Sequence, residues 1–130
     1  MTKRLVATLA LALGVFACGP TGEVVPIVTG TPDGMEGACT RSFLGQGVLR
    51  VDPTYGTALA DEWGGVLPVA WQPGYTAREV GSEVAVLDPE GNIVATTGNR
   101  YQFAGTAVHD DSWPGLPTTM FWACGEVYPE

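Results

Sequence analysis

Apolar residues follow two patterns along this chain. Leu5 to Ala17 is an apolar run without a charged residue, Thr8 its one polar side chain, whereas from Ala38 onward apolar residues come in short β-branched runs cut by glycine and proline. The first pattern, preceded by Lys3 and Arg4, has the layout of a secretory leader. As a helix it would be about 20 Å long against a hydrocarbon core of about 30 Å, too short for a permanent span. Between the two regimes, residues 19–37 read GPTGEVVPIVTGTPDGMEG, with no sustained apolar period. That composition predicts a tether holding the following domain away from its attachment point. Within it, Val24 to Val28 offers at most an edge strand, because Pro26 lacks the N–H that an interior ladder needs.

The body, residues 38–130, is punctuated too often for a long helix. Strand-like runs are Gly47 to Val51, Val66 to Trp71, Glu83 to Leu87, Asn92 to Thr97, Arg100 to Phe103 and Thr118 to Cys124. One helical turn is expected around Tyr55 to Trp63, where Ala, Leu, Asp and Glu cluster. Two β-branched runs flank Asp88-Pro89-Glu90-Gly91, with proline pre-set for a type I turn and glycine free to take positive φ, so Glu83 to Thr97 reads as a hairpin. Gly98-Asn99 predicts a further reversal, extending the hairpin into a three-stranded meander that ends at Phe103. Five or six short strands predict an all-β domain, a small antiparallel barrel of OB-like size, with a small β-sandwich as alternative.

Charge narrows the function classes. The formal net charge is −8, but the two N-terminal cations lie in the leader; from residue 18 onward four arginines face all fourteen carboxylates, giving −10. Such a chain is repelled by nucleic acid and by anionic headgroups, so nucleic-acid binding is excluded as a function class.

The leader ends in Val15-Phe16-Ala17-Cys18, which resembles the lipobox of bacterial lipoproteins. The resemblance implies cleavage before Cys18, a diacylglyceryl thioether on its sulfur and often a further acyl chain on the new α-amine. Two or three acyl chains anchor a protein stably where one does not, so the implied location is the cell envelope, with the domain facing the periplasm or exterior. Three cysteines are present; with Cys18 lipidated, Cys39 and Cys124 remain to pair in an oxidising compartment. The body also resembles small secreted bacterial β-barrel proteins of uncharacterised role, through Trp71 to Ala77 (WQPGYTA), the VAVLDPEGNIVA hairpin and the late CGEVY. That likeness implies a fold and no activity.

Catalytic sets do not assemble. The single imidazole, His109, sits beside Asp110, Asp111 and Ser112 in one loop, and chain neighbours do not converge as a triad does. Zinc wants three or four converging ligands, and the acids of HDDS lack the alternating spacing of a calcium loop, so no metal or other cofactor is expected. Of four tryptophans, Trp71 and Trp122 fall in strand-like runs and are expected in the core. Trp63 and Trp113 sit among acids and turn formers, and with His109, Asp110 and Asp111 are the candidate binding surface for a sugar, peptide or apolar partner. The resulting expectation is a lipid-anchored envelope protein with a non-enzymatic binding or structural domain. Two alternatives stand beside it: a hydrolase of envelope polysaccharide or peptidoglycan using paired carboxylates, and an inhibitor or adaptor of another exported protein.

Overall fold

The computed structural model describes residues 22–32, 39, 43–108 and 119–130. They form ten strands and no helix: β1 (Val28–Thr29), β2 (Phe43–Asp52), β3 (Gly56–Ala60), β4 (Val66–Trp71), β5 (Thr76–Val80), β6 (Glu83–Leu87), β7 (Ile93–Thr96), β8 (Arg100–Val108), β9 (Met120–Ala123) and β10 (Val127–Pro129). Five of these close a barrel: β2 pairs with β3, β3 with β4, β4 with β9, β9 with β8, and β8 with β2. The expected all-β barrel, with one disulfide, is therefore the fold, and the sandwich alternative is not. It is not wholly antiparallel. Between β4 and β9 the chain passes through β5, β6, β7 and β8, and β9 arrives running in the same direction as β4.

Long strands carry two neighbours on one edge. β8 pairs with β2 along Arg100 to Gly105 on one side; on the other it meets β10 at Tyr101 to Phe103 and β9 at Thr106 to Val108. The break between β9 and β10 is held to β8 by Gly125 N–H donating to the Ala104 carbonyl and Ala104 N–H donating to the Glu126 carbonyl, both 3.0 Å. The sheet β5-β6-β7 is inserted between β4 and β8. Its buried side chains Ala77, Val84, Val86 and Ala95 join one cluster with the barrel residues Leu49, Leu59, Val69, Trp71, Phe103 and Phe121.

Alternation of side chains across the strands explains this core. Leu49 on β2, Leu59 on β3, Val69 and Trp71 on β4, Phe103 on β8 and Phe121 on β9 all point inward and are buried. Trp71 and Phe103 meet edge to face at 5.6 Å, and Phe103 and Phe121 are tilted at 6.4 Å, the arrangements that aromatic quadrupoles favour. Buried polar groups are paired: Trp71 Nε1 donates to Thr57 Oγ1 at 2.9 Å, and Thr97 Oγ1 accepts from Val84 N–H at 2.9 Å. Trp122 is also buried, so both strand tryptophans are core residues as expected.

Three expectations are corrected. The helical turn around Tyr55 to Trp63 is instead strand β3 with the turns on either side, because its backbone pairs with β2 from Gly56 to Ala60 and with β4 from Ala58 to Ala60. A ladder on both edges outweighs a weak local preference for helix. The meander from Glu83 to Phe103 also does not form. The β6–β7 hairpin is present, but Gly98 N–H donates to the Leu49 carbonyl at 2.7 Å and the Asn99 carbonyl accepts from Leu49 N–H at 3.0 Å. The turn thus docks on β2 and delivers β8 there, and the third strand beside β6 is β5. Lastly, the described part of the expected tether packs on the body. Val25 N–H donates to the Ala77 carbonyl, Trp122 Nε1 donates to the Gly30 carbonyl, and Val25 and Ile27 pack against the core. The edge strand expected over Val24 to Val28 is displaced: β1 (Val28–Thr29) lies parallel to β4 at the margin of the sheet, and Val24 makes only an isolated bridge to Arg78.

Cys39 and Cys124 form a disulfide with Cα atoms 5.6 Å apart and a sequence separation of 85. It ties the segment before β2 to the end of β9. At Gly105 the barrel closes tightly: a β-carbon there would lie 2.1 Å from the Trp122 carbonyl oxygen and 2.9 Å from the Phe121 ring. Because the first of these is backbone of the paired strand, it cannot swing aside. Gly105→Ala is therefore expected to lower unfolding free energy by about 2–3 kcal/mol, as overpacking in a dense core does. Urea unfolding of the two proteins measures the difference.

Candidate binding site

A cleft opens where two strands differ in length. β2 pairs with β3 only from Val48 to Asp52, whereas it pairs with β8 from Phe43 to Val48. Among the described residues, no strand pairs with the β2 edge that faces β3 along Phe43 to Gly47. The gap leaves a cleft of about 360 Å³ lined by Gly45, Gln46, Leu59, Asp61, Gly65, Val66 and Leu67. Gly45 has no side chain to fill it; a β-carbon there would come within 3.1 Å of Leu59 and 3.2 Å of Phe121. The floor is therefore apolar barrel interior, and Gln46 and Asp61 stand at the rim beside the exposed Val66.

A smaller recess of about 100 Å³ adjoins it, sharing Gln46 and Asp61 and adding Glu62, Trp63 and Arg100. The turn between β3 and β4 builds this rim. Asp61 Oδ1 accepts from the backbone N–H groups of Trp63 and Gly65 at 2.9 and 2.7 Å, and Asp61 N–H donates to the Gly65 carbonyl at 2.9 Å. Position 65 takes glycine because a β-carbon would lie 2.5 Å from Asp61 Oδ2. Held by this turn, the Trp63 side chain is 88% exposed. Arg100 reaches Glu62 at 3.4 Å and Glu130 at 3.0 Å, so its charge is shared between two carboxylates.

No family model, curated protein or solved structure matches the chain. The site's chemistry must be read from its own side chains.

Of the residues expected from sequence to form a binding surface, Trp63 lines the recess. Trp113, His109, Asp110 and Asp111 lie outside the described residues, as does Cys18. The strand ends on either side of that loop, Val108 and Met120, pair with each other. Asp61 and Glu62 are chain neighbours of Trp63, the acids already noted beside it in sequence. Sequence reading missed Gln46 and Arg100, whose approach depends on the stagger between β2, β3 and β8, and no local motif encodes it. Among the described residues no group of three metal-ligating side chains converges.

A second groove of about 470 Å³ lies between β7 and β10, lined by Tyr75, Ile93, Val94 and the stretch from Gly125 to Tyr128. Burial, and then the nearby negative charges of Asp88 and Glu90, raise the Tyr75 phenol above its ordinary value, keeping it a neutral hydrogen-bonding group. Tyr75 also stacks on Trp71 at 5.9 Å, so its ring belongs to the core's margin.

Proposed function

We propose that this chain is an exported bacterial lipoprotein, held at the envelope by lipid on Cys18, whose β domain is a non-enzymatic binding module. One observation carries the reading. Cys39 and Cys124 are joined to each other, so of three cysteines only Cys18, at the end of the apolar leader, is left for another chemistry. A disulfide also suits an oxidising compartment better than the cytoplasm. The described polar side chains around the cleft favour binding over hydrolysis: Asp61 and Glu62 are exposed, Asp61 holding its turn through Oδ1 alone and Glu62 facing Arg100, so neither is a buried acid or base, while both keep oxygens open to a ligand. We further read the circular strand order β2-β3-β4-β9-β8 as that of an OB-type barrel, a likeness of fold that carries no ligand with it.

The expected result of metabolic labelling is that wild-type protein incorporates radiolabelled palmitate and partitions with membranes, and that Cys18→Ala abolishes the label. Unlabelled wild-type protein released to the medium would refute the anchor.

A further inference from the structure

The cleft and recess at the β3–β4 turn bring three features together. An indole stands in solvent, 88% exposed, on a turn fixed by side-chain hydrogen bonds. Beside it are planar polar groups: the Gln46 amide, the carboxylates of Asp61 and Glu62, and the Arg100 guanidinium. The adjoining cleft has an apolar floor formed by Leu59 and Leu67 beside Gly45. A single exposed apolar side chain is ordinary on a protein surface; what marks Trp63 is that it lines a recess together with Gln46, Asp61, Glu62 and Arg100.

We infer that this site binds a neutral oligosaccharide, one pyranose ring stacking its C–H face on Trp63 while its hydroxyls bond to Gln46, Asp61 and Glu62. The chemistry matches on each side. A pyranose presents a face of weakly positive C–H groups, which an indole face with its negative quadrupole attracts. Its hydroxyls are donors and acceptors at once, suited to carboxylates that accept and an amide that does both. Two carboxylates against one shared guanidinium leave the rim negative, and the chain beyond the leader is negative as a whole. An anionic glycan or nucleic acid is disfavoured there, whereas an uncharged sugar is not. The recess that Trp63 lines is shallow, about 100 Å³, as suits a ring stacked on a surface, and through Gln46 and Asp61 it adjoins the cleft of about 360 Å³, which is open to further sugar units.

The inference rests on the binding-module reading above and gives that module a ligand class. Isothermal titration of the native protein in detergent with chitotetraose, cellotetraose, maltotetraose and xylotetraose tests it. At least one sugar is expected to bind saturably. Trp63→Ala is expected to weaken that binding by about tenfold or more, and Gln46→Ala by a smaller factor. Neither variant should shift the thermal midpoint, since both side chains are exposed. No saturable heat with any of the four sugars, or affinity unchanged in both variants, overturns the assignment. An unmodified Cys18 would defeat the lipid anchor and leave these titrations unaffected, and cleavage of a bound sugar would make the domain an enzyme while upholding the ligand class.

Discussion

Replacing Cys39 and Cys124 together by serine is expected to lower the unfolding free energy by about 4–5 kcal/mol. The bridge spans a sequence separation of 85, nearly the whole folded body, and closing so long a loop restricts the unfolded chain strongly. The chain-entropy relation gives about 4.6 kcal/mol for such a loop. It also holds together pieces that the ladders alone leave apart. Cys124 lies at the interruption between β9 and β10, and Cys39 packs against the cluster of Ala70, Val108, Met120 and Trp122. Domains of this size have net stabilities of about 5–15 kcal/mol, so the reduced protein would have little margin. Urea unfolding of oxidised wild type against the double variant, read by tryptophan fluorescence, measures the loss. A change below about 1 kcal/mol would mean that the bridge adds nothing the ladders do not already supply.

Trp71→Ala is expected to lower the unfolding free energy by about 4 kcal/mol, in the range for emptying an aromatic site in a packed core. Trp71 is fully buried, stacked on Tyr75 and set edge-on to Phe103, with backbone partners on both sides of β4. Its removal also leaves Thr57 Oγ1, itself fully buried, without its donor. An unpaired buried polar group adds about 1–3 kcal/mol to the cavity's cost. Trp71→Phe keeps most of the packing and loses only the indole donor and part of the volume, so it should be clearly milder. Equal effects from the two substitutions would show that the hydrogen bond, not the ring, dominates at this position.

The parts of the fold legible in sequence are those set by neighbours along the chain. The β6–β7 hairpin could be read because its turn is encoded locally: Asp88 Oδ1 accepts from Glu90 and Asn92 N–H groups, Gly91 N–H donates to the Asp88 carbonyl, and Gly91 takes a φ of 88°. The strand from Val66 to Trp71 was equally plain, a dense run that faces the core at Val69 and Trp71. What could not be read depends on partners distant in sequence. Gly56 to Ala60 takes its strand form from β2 and β4, and its residue types alone favour a helical turn. β5, TAREV, has only one fully buried residue, Ala77, and so gives little periodic signal. β10 is three residues long and ends in proline. The candidate site divides the same way. Trp63 stood out as an aromatic among turn formers, but the cleft beside it comes from the stagger of β2 against β3, which is a property of the closed barrel.

The account depends on how the three sulfur atoms are used, and mass spectrometry of the native protein extracted from membranes reads all three at once. Proteolysis without reduction should yield a Cys18 N-terminal peptide heavier by a diacylglyceryl group, with or without a further acyl chain, and a separate cross-linked peptide joining Cys39 to Cys124. An intact leader, an unmodified Cys18, or Cys18 bridged to either other cysteine would contradict the account.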